Sequence, residues 1–271
     1  MKFVFLTALK TEAKALIKEY DLKESKNNSF FNNNHFSLFI TGMGKEQTLK
    51  NISHFLSFYK DLDETIAINI GVAGGNPKTT SLEDCYLINK IKNETNKDVF
   101  YPDVLIEHNW EERSLITAKN AIEVPSTNYP NIVDMEASHI YASLIKHLPS
   151  HRLVFLKIVS DHMDIQDWKK IDVDHLITKN IPAIKKWLNK EEWKFLKQRR
   201  ILSNDETNLL IKYFKKIRLT VSQQHQLIEI LENYKKRNNA LPVLSKHFKY
   251  VPKLKADRDK IFQVLKNEFS S

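Results

Sequence analysis

Two kinds of apolar pattern alternate along the first two thirds of the chain. Near-continuous apolar runs at residues 2–8, 35–41, 66–70, 82–91 and 153–160 read as buried strands. Between them, apolar residues recur at helical spacing. Ala13, Leu16, Ile17 and Tyr20 predict a helix over 11–20, and Leu49, Ile52, Phe55, Leu56 and Tyr59 predict one over 45–59. Ile140, Leu144 and Ile145 predict a third over 136–147, stopped near Pro149, and a fourth spans 172–188. Shorter strands are expected at 114–117, 121–124 and 132–135, and the Asn-rich stretch 27–34 reads as a turn between short strands. Strands alternating with helices predict an α/β core.

The pattern changes at about residue 190. From there on it predicts helices at 206–217, 222–234 (with Ser222 as cap) and 255–269, broken by Pro242 and Pro252. Two domains are therefore expected, 1–189 and a helical extension 190–271. Charge divides at the same point. Residues 1–189 hold 23 Lys+Arg against 24 Asp+Glu, whereas 190–271 hold 19 against 9, so the net +9 belongs to the extension. Its cations include the clusters Lys194, Lys197, Arg199, Arg200 and Lys235, Lys236, Arg237, interleaved with aromatic residues such as Trp193, Phe195, Tyr213, Phe214, Tyr234, Phe248 and Tyr250. Contact with nucleic acid through phosphates is one reading. The other, which the helical stripes of the aromatics favour, is a helical subdomain with charged outer faces.

Composition excludes some classes. No apolar run is long enough to span a membrane. The start, MKFVFLTALK, reads as a first strand and not as an export signal, because charge returns at Lys10 without a small-residue cleavage site; a cytoplasmic protein is expected. The single cysteine, Cys85, rules out an internal disulfide or a cysteine-based zinc cluster and reads as a core residue. The histidines are scattered and no HExxH motif occurs, so a metal is not expected; an organic cofactor is not expected either.

Candidate chemistry gathers where apolar strands end, the edge at which α/β sheets bind ligands. Three of the five glycines stand at 71, 74 and 75 after the strand 66–70, and predict a glycine-rich loop. Glu12 opens the first helix, Glu136 stands at a strand-to-helix turn, and Asp161 ends the last strand. Taken singly, each also reads as a solvated first-turn acid, a cap or a turn residue.

Five segments in order, ITGMGKEQT (40–48), INIGVAGG (68–75), SLEDCYLI (81–88), VDMEASHIYA (133–142) and KIVSD (157–161), resemble the purine nucleoside phosphorylase/nucleosidase superfamily. Within it they are most similar to the 5′-methylthioadenosine/S-adenosylhomocysteine nucleosidases. The resemblance covers about residues 1–188. It implies a three-layer fold with a mixed twisted sheet, hydrolysis of the N-glycosidic bond of a purine nucleoside, and assembly as a homodimer or higher homo-oligomer. By the same resemblance Asp161 is the acid at the purine, Glu12 the base that activates water, and Glu136 the carboxylate on the ribose hydroxyls. It puts substrate contacts at Met43, Ala73, Gly74, Ile122, Met135 and Lys157.

The chain also departs from that pattern. Val72 stands where the nucleosidases usually have Ser or Thr, and Lys157 replaces a common Arg, keeping charge but not the bidentate fork. Residues 118–122 carry no aromatic ring to stack on a base. Neither the first loop nor the glycine segment has an arginine for phosphate, which favours water as nucleophile. A phosphorylase using lysines, and a catalytically weak nucleoside- or nucleic-acid-binding protein, are the alternatives.

Overall fold

The computed structural model describes residues 2–25, 29–124, 128–164, 170–196, 202–244, 251–252 and 254–269. The chain divides into two compact units, Met1–Gln198 and Arg199–Ser271.

The first unit runs β1 (Lys2–Thr7), α1 (Lys10–Glu19), β2 (Lys23–Glu24), β3 (Phe30–Asn32), β4 (Phe36–Ile40), α2 (Gly44–Phe58), β5 (Thr65–Gly75) and β6 (Cys85–Asn93). It continues through β7 (Val99–Phe100), β8 (Glu112–Thr117), β9 (Ile132–Asp134), α3 (Ala137–Leu144), β10 (Leu153–Asp161) and α4 (Val173–Leu188). All ten strands form one mixed sheet. β5 is parallel to β1 at Thr65–Asn69 and to β10 from Ala67 to Gly74, and its last two residues pair antiparallel with β9. Since β10 pairs β6, β6 pairs β8 and β8 pairs β9, the path returns to β5 and closes a five-stranded barrel. β1, β4, β3 and β2 extend from it as an open sheet.

Alternation along the strands builds a core on each face. Ile68, Leu156 and Ile158 pack with Leu16, Ile177 and Ile184 of α1 and α4. Ala67, Phe155 and Val159 pack on the other face with Ile52, Phe55, Ile140 and Leu144 of α2 and α3. This is the three-layer arrangement, helices covering both faces of the sheet.

Three local expectations are corrected. The glycine segment is not a loop: Gly71, Gly74 and Gly75 continue β5, and none of them has a positive φ. The two positive-φ glycines are Gly42 and Gly44, at 81° and 73°. No strand forms at 121–124, because β8 ends at Thr117 and β9 resumes its pairing only at Ile132. The expected strand 82–91 starts at Cys85, after a turn in which Glu83 has φ 66°, and runs on to Asn93.

The second unit is built from α5 (Asn204–Lys216), α6 (Val221–Asn238) and α7 (Lys255–Phe269). Leu210, Phe214, Leu227, Leu231, Phe262 and Leu265 make its core. α5 starts at Ser203, which accepts from Glu206 N and whose own N–H donates to the Glu206 carboxylate. The cap of α6 is Thr220 and not Ser222, because the helix begins two residues earlier and Thr220 accepts from Gln223 N. Lys235 is paired with Glu206. Lys197, Arg199, Arg200, Phe248 and Tyr250, and the side chains of Lys194 and Phe195, lie outside the described residues.

The first unit runs on past residue 189 to Gln198. Trp193 is 2% exposed in the first core, edge-on to Phe3 and Trp187, and donates its indole N–H to Trp187 O at 3.0 Å. Trp193→Ala in the full chain is therefore expected to cost the first unit about 3–5 kcal/mol, the usual loss for a buried aromatic. Urea unfolding measures this, and an unchanged midpoint would return the boundary to 189/190.

Candidate active site

α1 begins where the chain leaves β1, with Leu9 extended (φ −120°) ahead of the first helical turn. Glu12 in that turn is 3% exposed, so it is not a solvated acid. Its Oε2 accepts from Ala8 N at 2.8 Å and Leu9 N at 2.9 Å, which satisfies donors at the helix start. Its Oε1 reaches across to β5 and accepts from Val72 N at 2.9 Å. Gly71 makes that reach feasible, since a Cβ there would lie 2.6 Å from Oε1. Burial pushes the Glu12 carboxyl above its ordinary range, opposed by the charge of Lys157 and the three N–H donors.

Glu136 occupies the residue before α3 yet caps nothing there. Asp134 accepts from Ala137 N instead, at 3.0 Å. The Glu136 Oε1 accepts from Gly44 N at 2.8 Å, the first residue of α2, whose unpaired N–H groups favour a carboxylate. Burial first, then the charge of Asp134, pushes Glu136 up to about 7, with Lys157 opposing.

Asp161 closes β10 in a turn. Its Oδ1 accepts from Met163 N at 2.7 Å and its Oδ2 from Ser160 Oγ at 2.6 Å. Met163 takes a φ of 62°, which seats its buried side chain beside Gly74. Burial raises the Asp161 carboxyl, against these two donors.

One cavity of about 790 Å³ brings the three carboxyls together. Met43, Ala73, Gly74, Ile122 and Met135 line it with Glu12, Glu136 and Asp161, and Met43 stands 55% exposed. Lys157 does not line it. Its ammonium is buried 2.9 Å from Asp134 Oδ2. Sequence reasoning passed over Asp134, although it stands in the same VDMEA segment, and over residues 171–174 at the start of α4, which also line the cavity. The apolar pattern marked that helix start but gave no sign of what it faces. Arg113 and Arg152 are not among the lining residues. Among the described residues no group of three His, Cys, Asp or Glu could hold a metal ion, and no helix is long and apolar enough to cross a membrane.

No protein-family model matches the sequence, and no curated protein does either. Solved structures do. MTAN of Chlamydia trachomatis superposes with a TM-score of 0.57 at 16% identity, over 69% of this chain and 99% of that one. Arabidopsis thaliana 5′-methylthioadenosine nucleosidase gives 0.56 at 16%, over 69% and 94%. The Helicobacter pylori 5′-methylthioadenosine/S-adenosylhomocysteine nucleosidase, solved with butyl-thio-DADMe-Immucillin-A, gives 0.55 at 14%, over 70% and 98%. The fold is nucleosidase-like. The Chlamydia protein has also been solved bound to adenine.

Two expectations follow for this site. Gly71→Ala should destabilise by about 1–3 kcal/mol through overpacking on the Glu12 carboxylate. The loss should shrink when Glu12 is also Ala, and a double-mutant cycle in urea reads the coupling. Glu136 holds a proton more tightly folded than unfolded, so its contribution to stability is complete below about 4.5 and is lost as pH rises through about 7. Glu136→Gln removes that loss, so urea midpoints should favour the variant increasingly between pH 4.5 and 7.

Proposed function

We propose that the protein hydrolyses the N-glycosidic bond of a purine nucleoside or a 5′-modified relative such as methylthioadenosine. The observation that carries this reading is one cavity, on a nucleosidase-like fold, that Glu12, Glu136 and Asp161 line together. Asp161 is the general acid. Its burial favours the protonated form needed to donate to N7 of the purine. As that proton is transferred, the C1′–N9 bond breaks and its electron pair leaves with the base.

The sugar left behind carries positive charge at C1′. Glu136 has one N–H donor, so it keeps acceptor capacity for the ribose hydroxyls, and those bonds strengthen as it ionises. Met135 lies against the sugar, Ala73 and Gly74 against the nucleoside, and Ile122 against the base. Met43 covers the mouth. Water adds to C1′ while Glu12 accepts its proton. The products are the free base and the free sugar, with no group required from outside the cavity. Glu12 keeps its contact with residue 72 through the main chain, so valine there leaves that hydrogen bond intact. The lack of arginine in the lining supports water over phosphate as nucleophile.

Base release decides the matter. The protein is incubated with methylthioadenosine, S-adenosylhomocysteine, adenosine, inosine and guanosine, with and without phosphate, and the free base is quantified by chromatography. Release independent of phosphate is expected, and Asp161→Asn and Glu12→Gln should each lower it by about 10²–10⁴-fold. Release only with phosphate would make the protein a phosphorylase, and none from any nucleoside would leave a binding protein.

A further inference from the structure

A buried ion pair stands at the cavity, with Asp134 in its lining and Lys157 behind it. Lys157 is the one non-apolar residue between Leu153 and Val159 of β10. Strand alternation turns it toward the face of Phe155 and Val159. Its side chain and that of Asp134 are 3% and 1% exposed. The Asp134 carboxylate is held further by Thr117 Oγ1 at 2.9 Å and by Ala137 N. Sealing such a pair costs desolvation that an apolar pair of the same size avoids, so stability alone does not account for it.

What lies next to the pair does. Lys157 is the register partner of Gly71 on β5, and the Glu12 carboxylate lies over Gly71. Glu136 follows Asp134 by two residues at the end of β9. Asp134 holds the ammonium directly, and Glu12 and Glu136 feel its charge from further off. Lys157 keeps its proton: burial works against the charge, but Asp134, Glu136 and Glu12 outweigh it. From α3, His139 feels Asp134 and, with opposite sign, Lys45. Asp161 is raised by burial, opposed by Ser160 and Met163, with smaller effects from Asp164 and His162.

We propose that Lys157 and Asp134 are positioning residues that act through Glu12 and Glu136, the cation and its anion together setting how much negative charge the cavity floor carries. Removing the cation makes both glutamates harder to ionise, and removing the anion makes them easier. A merely structural pair would give the same loss from either side, not shifts of opposite sign.

The kinetic arm of the test rests on the hydrolysis proposed above. In the pH profile of base release, Lys157→Met should move the low-pH limb up by on the order of one unit, and Asp134→Asn should move it down by a similar amount. Lys157→Arg should restore the wild-type limb. The high-pH limb, which belongs to Asp161, should stay in all three. The second arm needs no substrate. The pH at which stability stops declining, read from urea midpoints, should move up in Lys157→Met and down in Asp134→Asn. If the wild type releases no base, the hydrolysis reading fails and the midpoints still decide the pair. Folded variants with unmoved profiles, or with both displaced in one direction, would overturn the proposal. Should Lys157→Met not fold, Asp134→Asn decides alone, and a limb or midpoint profile that does not move down sinks it.

Discussion

Strand β5 has backbone partners on both sides, and the first unit depends on that pairing. Its first half lies between β1 and β10, and its last residues bridge to β9. A strand of eleven residues is long enough to do both, so an open sheet and a closed barrel share it. The consequence is geometric. The carboxyl ends of β1, β5 and β10 reach one rim, and α1, the turn after Asp161 and the β9–α3 corner start there together. Ligands bind at such rims because loops and helix starts converge on them. The pairing also explains the glycines. They are packing residues, small enough for Glu12, Thr80 and Val159 to come close to the backbone, and the chain does not turn at them.

Burial raises the carboxyls at that rim, and main-chain donors oppose it. Glu12 takes three N–H groups, Glu136 one, and Asp161 one together with a hydroxyl. Such donors stabilise carboxylates without bringing a long cationic side chain into the cavity. A site of this kind suits chemistry in which one carboxyl gives a proton and another receives one. Lys157 cannot make the two-pronged contact of an arginine, and it spends its closest contact on Asp134. Ile122 and Val133 make one wall of the cavity apolar, and Tyr129 and Met163 cluster with them outside the cavity lining.

The second unit answers to different physics. α5 and α6 start at side-chain caps, and among the described residues Phe214, Phe262 and Phe269 pack inward with leucines at helical spacing. Its basic character belongs to the outer faces. Trp193 belongs to the other unit, although its sequence neighbours are as charged as the tail that follows.

What the sequence determined by itself was local. Periodicity marked each long helix and strand, because burial on one face leaves a period of 2 or 3.6 that needs no partner to be read. Short motifs marked Glu136 and Asp161, and Glu12 stood out as the acid that opens the first helix. Tertiary structure decided whatever depends on a partner distant in the chain. Glu12 is sealed by Val72 sixty residues away, and Glu136 by Gly44 at a separation of ninety-two. The glycine run looked like a loop since its reason for being small lies on α1 and β10. Lys157 looked like a cavity residue, and only the register of β10 against β5 and the approach of Asp134 turned it into the wall behind the cavity. A buried charge must be met by its counter-charge, and the strand order that brings the two together is written in no single stretch of the chain.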